Sequence, residues 1–130
     1  MAKEIIRTGG CLCGAIRYTV MGEPYKSGLC HCTDCRQVTG SAFLAYADRQ
    51  PGQFEYTGLV TTFRGRSFCP VCGSRLFSRN ERQVEIYIGT LDDVPTGIKP
   101  VDEGWIIRRE RWQHPVQHAR QHDKDVPPRR

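Results

Sequence analysis

Seven cysteines gathered into three tight groups are the residues in this chain best suited to chemistry. They stand as C-x-C at Cys11 and Cys13, C-x-C-x-x-C at Cys30, Cys32 and Cys35, and C-x-x-C at Cys69 and Cys72. An odd number cannot pair completely within one chain, and the opening MAKEIIRTGG has no apolar leader. The expected setting is therefore the reducing cytoplasm, where lasting disulfides are rare and clustered thiols hold metal. Two short chelating turns far apart in sequence, Cys11/Cys13 and Cys69/Cys72, supply the four sulfurs of a closed structural zinc site. Pro70 stiffens the second turn, and Gly73 permits a positive φ just beyond it, so that backbone N–H groups reach the sulfurs.

Cys30, Cys32 and Cys35 remain, within six residues. Three thiolates on a second zinc leave one position for water, a substrate or a distant side chain, which is the arrangement of a catalytic zinc. His31, between two ligands, turns its ring away from such a metal, and His114, His118 and His122 are the candidates for a fourth ligand. The expectation is two zinc ions per chain, the second bound less tightly and so partly occupied. A redox pair, buried free thiols and two purely structural metals stay open as alternatives.

The elements that must position these groups are short. AIRYTV (15–20), SAFLAYA (41–47), QFEYT (53–57), VTTF (60–63), RLFS (75–78) and VEIYIG (84–89) read as strands. In the last, Val84, Ile86 and Ile88 alternate with Glu85 and Tyr87. Thirteen glycines and eight prolines leave little room for helices. One is expected after Cys32, capped by Thr33 or Asp34 and ended at Gly40. A single zinc-stabilised domain over 1–117 and a polar, fraying tail over 118–130 complete the organisation. No apolar run approaches a membrane span. The formal charge of +5 falls to +2 once seven thiolates and two divalent ions are counted, which argues against nucleic acid as a partner.

Around the second group, Thr39, Gly40 and Ser41 are candidates to line its open face, and Asp34 to cap its turn. Arg64, Arg66 and Arg75 flank the third group, either as a solvated strand edge or as a fork for a substrate carboxylate. Phe43 and Phe68 read as core.

GGCLCGAIRY, CHCTDCRQVTGSAF, RGRSFCPVCGSRLF and IYIGTLDD, taken in that order, resemble the glutathione-dependent formaldehyde-activating enzyme family, which also contains centromere protein V. The resemblance covers roughly residues 8–93, with a weaker echo at Trp105 and Trp112. It implies a mainly β, Mss4-like fold of several coiled antiparallel sheets with few short helices. It implies structural zinc on Cys11, Cys13, Cys69 and Cys72, and catalytic-type zinc on Cys30, Cys32 and Cys35. The implied activity is that of a carbon–sulfur lyase joining glutathione and formaldehyde reversibly as S-(hydroxymethyl)glutathione. Val38 stands where the family carries an aromatic residue, a departure that bears on the substrate pocket. Two function classes follow: a zinc lyase acting on a small thiol or its aldehyde adduct, and a non-enzymatic zinc-stabilised module for a protein or nucleic acid. The compact chain, whose only dense basic run is RRER (108–111), favours the first. Oligomeric state leaves no mark in the sequence.

Overall fold

The computed structural model describes residues 5–128. Five strands and one helix come first: β1 (Ile6–Gly10), β2 (Arg17–Met21), β3 (Lys26–Cys30), α1 (Thr33–Thr39), β4 (Leu44–Arg49) and β5 (Phe54–Thr57). Six strands follow: β6 (Thr61–Phe63), β7 (Arg66–Phe68), β8 (Arg75–Arg79), β9 (Val84–Tyr87), β10 (Asp102–Gly104) and β11 (Arg120–Gln121). They form two sheets, β1-β2-β5 and β11-β10-β3-β4-β9-β8-β7-β6. The expected mainly β arrangement is the one the chain adopts, and no described helix is long and apolar enough to cross a membrane. The pairing is antiparallel except at β10, which runs parallel to both β3 and β11.

Period-two alternation gives the large sheet two unlike faces. One presents Phe77, Val84 and Ile86, all buried, which pack on Tyr18, Val20 and Phe54 of the small sheet to form the main apolar core. Phe77 and Phe54 meet edge to face with centroids 4.8 Å apart. The other face carries α1, whose Cys35 packs on Leu44, Tyr46 and Tyr87.

Two expectations change. Cys32 caps α1 in place of Thr33 or Asp34, its Sγ accepting the Cys35 N–H at 3.3 Å. Gly40 ends the helix as expected, its N–H returning to the Arg36 carbonyl. The segment expected to fray from residue 118 is tied down as far as it is described; residues 129 and 130 lie outside the described residues. The reason is β10, where Asp102 and Glu103 are both buried. A buried carboxylate is costly without donors, and the C-terminal segment supplies them. Arg120 and His122 reach Asp102 at 2.8 and 2.9 Å, and Gln121 donates to Glu103 at 2.8 Å. Lys124 then accepts the Trp105 N–H at 2.8 Å, and Asp125 the Trp105 indole N–H at 2.8 Å.

Candidate metal centres and the cavity between them

The loop from β1 to β2 and the loop from β7 to β8 bring Cys11, Cys13, Cys69 and Cys72 together, with all four sulfurs within 4.8 Å of one another. Cys13 Sγ lies 3.6 Å from Cys11 Sγ and 3.7 Å from Cys69 Sγ. A tetrahedron with arms of about 2.3 Å, the zinc–thiolate length, has edges of about 3.8 Å. The donor set therefore fits zinc in both chemistry and spacing. Amide N–H groups converge on the sulfurs: Ile16 on Cys11 at 3.2 Å, and Val71 and Cys72 on Cys69 at 3.4 and 3.5 Å. Gly73 takes φ +80°, the left-handed turn that lets the chain leave the knuckle. Ser74 stitches the two loops: its Oγ accepts the Leu12 N–H at 3.0 Å and lies 3.2 Å from Cys72 Sγ. Its hydrogen bond holds the Cys72 thiol down at about 5.

Cys30, at the end of β3, joins Cys32 and Cys35 from the start of α1 in a second group, again with all sulfurs within 4.8 Å. The hydrogen bond with Cys35 lowers Cys30 to about 7, and the same bond with Cys30, together with burial, pushes Cys35 up. No histidine or carboxylate joins the three sulfurs among the described residues. His31 is fully buried and bonds Glu103 at 2.9 Å, turned toward β10 as the alternation of an extended segment requires. Of the candidate fourth ligands, His114 and His118 are exposed and His122 is bonded to Asp102.

Two cavities meet at Cys35. One, of about 390 Å³, is bounded by Cys30, Cys35, Tyr46, Glu85, Trp105 and Val126. The other, of about 320 Å³, includes Cys35, Arg64, Arg66, Ser78, Asn80 and Glu85 in its walls. Two larger hollows, of about 540 and 620 Å³, contain no cysteine in their linings. Strand register explains the polar wall. Arg66 pairs with Ser78, Ser78 with Glu85, Glu85 with Asp48, and Asp48 with Lys26. Directly opposed residues point to the same face, so one polar row crosses five strands on the face that carries the cysteine trio. Ser78 Oγ donates to Glu85 at 3.3 Å. Burial raises the Glu85 carboxyl above its ordinary range, and burial also pushes Asp48 up to about 8.

The other expected site residues divide. Arg64 lines the smaller cavity. Thr39, Gly40 and Ser41 line neither cavity. They close the helix, the Thr39 hydroxyl donating to the Cys35 carbonyl at 2.7 Å and accepting the Ser41 N–H at 3.2 Å. Asp34 faces Arg66 at 3.8 Å instead of capping the turn. Arg75 lies over the Phe68 ring, 4.4 Å from its centre. Glu85, Tyr46 and Trp105 were missed as site residues. The alternation in VEIYIG does put Glu85 and Tyr87 on the face away from Ile86, but it cannot tell whether that face meets solvent or a cavity.

The profile of a family described as glutathione-dependent formaldehyde-activating enzyme matches residues 6–108. An uncharacterized lyase of Schizosaccharomyces pombe is 35% identical over 74 residues, 53% of this chain and 54% of that protein. The match thus spans about half the length of that relative. A crystal structure of a Rhodobacter sphaeroides protein shares the fold with a TM-score of 0.55 and 19% identity, covering 72% of this chain and 97% of its own.

Proposed function

The chain belongs to the glutathione-dependent formaldehyde-activating enzyme family, and on that premise we propose that it is a zinc-dependent carbon–sulfur lyase acting on a small thiol and its aldehyde adduct, with S-(hydroxymethyl)glutathione as the type substrate. The observation that carries this reading is the placement of the three-thiol group on the wall of a cavity, while no cysteine of the four-thiol group lines any of the four cavities described above. In this reading Cys11, Cys13, Cys69 and Cys72 hold a structural zinc, and Cys30, Cys32 and Cys35 hold the second. A zinc ion on three thiolates supplies Lewis acidity, lowering the pKa of a thiol or polarising a carbonyl.

The chain's own groups do the rest. Tyr46, Trp105 and Val126 give the larger cavity an apolar part of its wall beside Cys30 and Cys35. In the synthetic direction the thiol sulfur bonds to the aldehyde carbon, the carbonyl π pair moves to oxygen, and a proton must pass from sulfur to that oxygen. Glu85, which lines both cavities beside Cys35, carries that proton.

The binding-module reading asks for free basic surface, and RRER offers little. Arg108 lies over the Trp105 ring, Arg109 bonds Gln121 and faces Glu103, and Glu110 pairs with Arg36 at 2.6 Å. The test is the rate of S-hydroxymethyl adduct formation from glutathione and formaldehyde, followed by NMR against the uncatalysed reaction. The expected result is a rate above background that disappears in Cys32→Ser. A background rate from protein carrying two zinc ions, together with salt-sensitive binding to nucleic acid, would overturn the lyase reading.

A further inference from the structure

Apart from Glu85, which it shares with the larger cavity, the smaller cavity beside Cys35 has no role in the reaction as described above, and its walls have a definite chemistry. Arg64 and Arg66 are its cations on the hairpin of β6 and β7, with Asn80 and Gln83 adding amides on the opposite rim. These cations are weakly matched from within. Among the described residues, no carboxylate lies within 4 Å of Arg64, whose guanidinium carbon sits 5.2 Å from the centre of the exposed Phe63 ring. Among the described residues, the one carboxylate within 4 Å of Arg66 is Asp34, at 3.8 Å and with its side chain 65% exposed, and Glu85 acts on it from farther away. Asn80 Oδ1 accepts the Arg82 and Gln83 N–H groups, which leaves its Nδ2 as a further donor. The carboxyl group in the cavity, Glu85, is shifted by burial toward its neutral form and so opposes an incoming anion less than an exposed glutamate would.

A second observation singles out Arg64. Phe63 pairs with Arg66, so Arg64 and Gly65 form a two-residue hairpin turn, with φ +49° and +78°. Turns of that sign belong to Asn-Gly or Asp-Gly, because a long side chain is strained in the left-handed region. The first position nevertheless holds arginine, at a cost in stability and at the mouth of the cavity that contains Cys35. Strain at a binding position is the pattern of a residue placed for function.

We propose that Arg64, supported by Arg66, is a carboxylate-binding subsite that selects, among small thiols, those carrying a carboxylate away from the sulfur. This rests on the thiol–aldehyde reading of the cysteine trio and deepens it. The guanidinium fork takes the carboxylate with two parallel hydrogen bonds, while the thiol end extends toward Cys35.

The experiment compares two thiols that differ only in that group, N-acetylcysteine and N-acetylcysteine amide, in wild type, Arg64→Asn and the charge-matched control Lys99→Gln. Each is measured in kcat/KM for formaldehyde adduct formation and, separately, in binding by calorimetry. A hydrogen-bonded charge contact corresponds to a preference of about 10-fold or more for the carboxylate thiol in wild type and in Lys99→Gln. Arg64→Asn should bring the two thiols to within about twofold of each other. The same variant should melt higher by about 2 °C, since asparagine tolerates the left-handed turn. That opposite movement of stability and binding is what a structural role for Arg64 would not produce. Equal binding of the two thiols by wild type, or an undiminished preference in Arg64→Asn, would overturn the subsite. Failure of turnover with both thiols would count against the lyase reading instead, and calorimetry would still decide the carboxylate contact.

Discussion

The two cysteine groups use the same ligand chemistry and are built in opposite ways. The four-thiol group joins loops more than 50 residues apart, the Cys13–Cys69 contact alone spanning 56 positions. It bridges the small sheet and the end of the large one, and amide N–H groups surround its sulfurs. The three-thiol group is local, a strand end followed by a helix start, and it faces two cavities. A long-range clamp contributes to folding because the unfolded chain cannot assemble it, whereas a local chelate is half assembled in any conformation and leaves a position for something else. Stability should therefore reside with the first group and chemistry with the second.

The sharpest way to break this contrast is Cys69→Ser. Structural zinc in small domains contributes about 10–16 kcal/mol of apparent binding energy, which rivals the whole stability of about 5–15 kcal/mol of an ordinary domain. The expected outcome is loss of cooperative unfolding, read by circular dichroism, and loss of bound metal. Cys32→Ser should instead retain one zinc per chain by mass spectrometry, lose less than about 5 °C in Tm, roughly 1–2 kcal/mol, and lose activity to background. Equal destabilisation by the two substitutions would abolish the distinction. Glu85→Gln tests the cavity chemistry without touching a ligand. Both ions should stay while kcat falls about 100-fold, the size of a general acid–base contribution, and Glu85→Asp should recover part of it.

Smaller effects sharpen the picture. Ser74→Ala removes the bridge between Leu12 N–H and Cys72, and should cost about 1 kcal/mol in denaturant unfolding. Asp48 supplies a pH test. Its carboxyl is buried with neither oxygen bonded and is pushed up to about 8, against 3.8 in the unfolded chain. Between those values the unfolded form ionises while the folded form holds its proton, so stability falls as pH rises from about 4 to about 8. Asp48→Asn keeps the shape without the titration. Its Tm advantage over wild type should be larger at pH 8 than at pH 6; an equal advantage at both would show that burial there does not suppress ionisation.

How far the sequence was legible depends on the range of the interaction. C-x-C and C-x-x-C spacings are local geometry, and both groups assembled as their spacing required. The Gly73 turn, the Gly40 helix end and the strand alternation at residues 84–87 are local in the same sense. Cys32 as the helix cap was missed because a thiol is a weak acceptor by residue type, while Thr33 and Asp34 are strong ones. Thr39, Gly40 and Ser41 line neither cavity, because proximity in sequence to Cys35 says nothing about which side of a helix end meets a cavity. The C-terminal segment was read as fraying from its polarity, yet Arg120, Gln121 and His122 are polar because they answer two carboxylates buried on another strand.

By itself, then, the sequence determined that four sulfurs could close around one cation and three around another, since short chelating turns carry their geometry within a few residues. Only the tertiary structure decided what faces the open group. The row from Arg66 through Ser78, Glu85 and Asp48 to Lys26 exists only when β7, β8, β9, β4 and β3 lie side by side in one register. A one-residue slip in any of those strands would turn its member of the row to the apolar face. That register is a property of the packed sheet as a whole, which no short stretch of the chain contains.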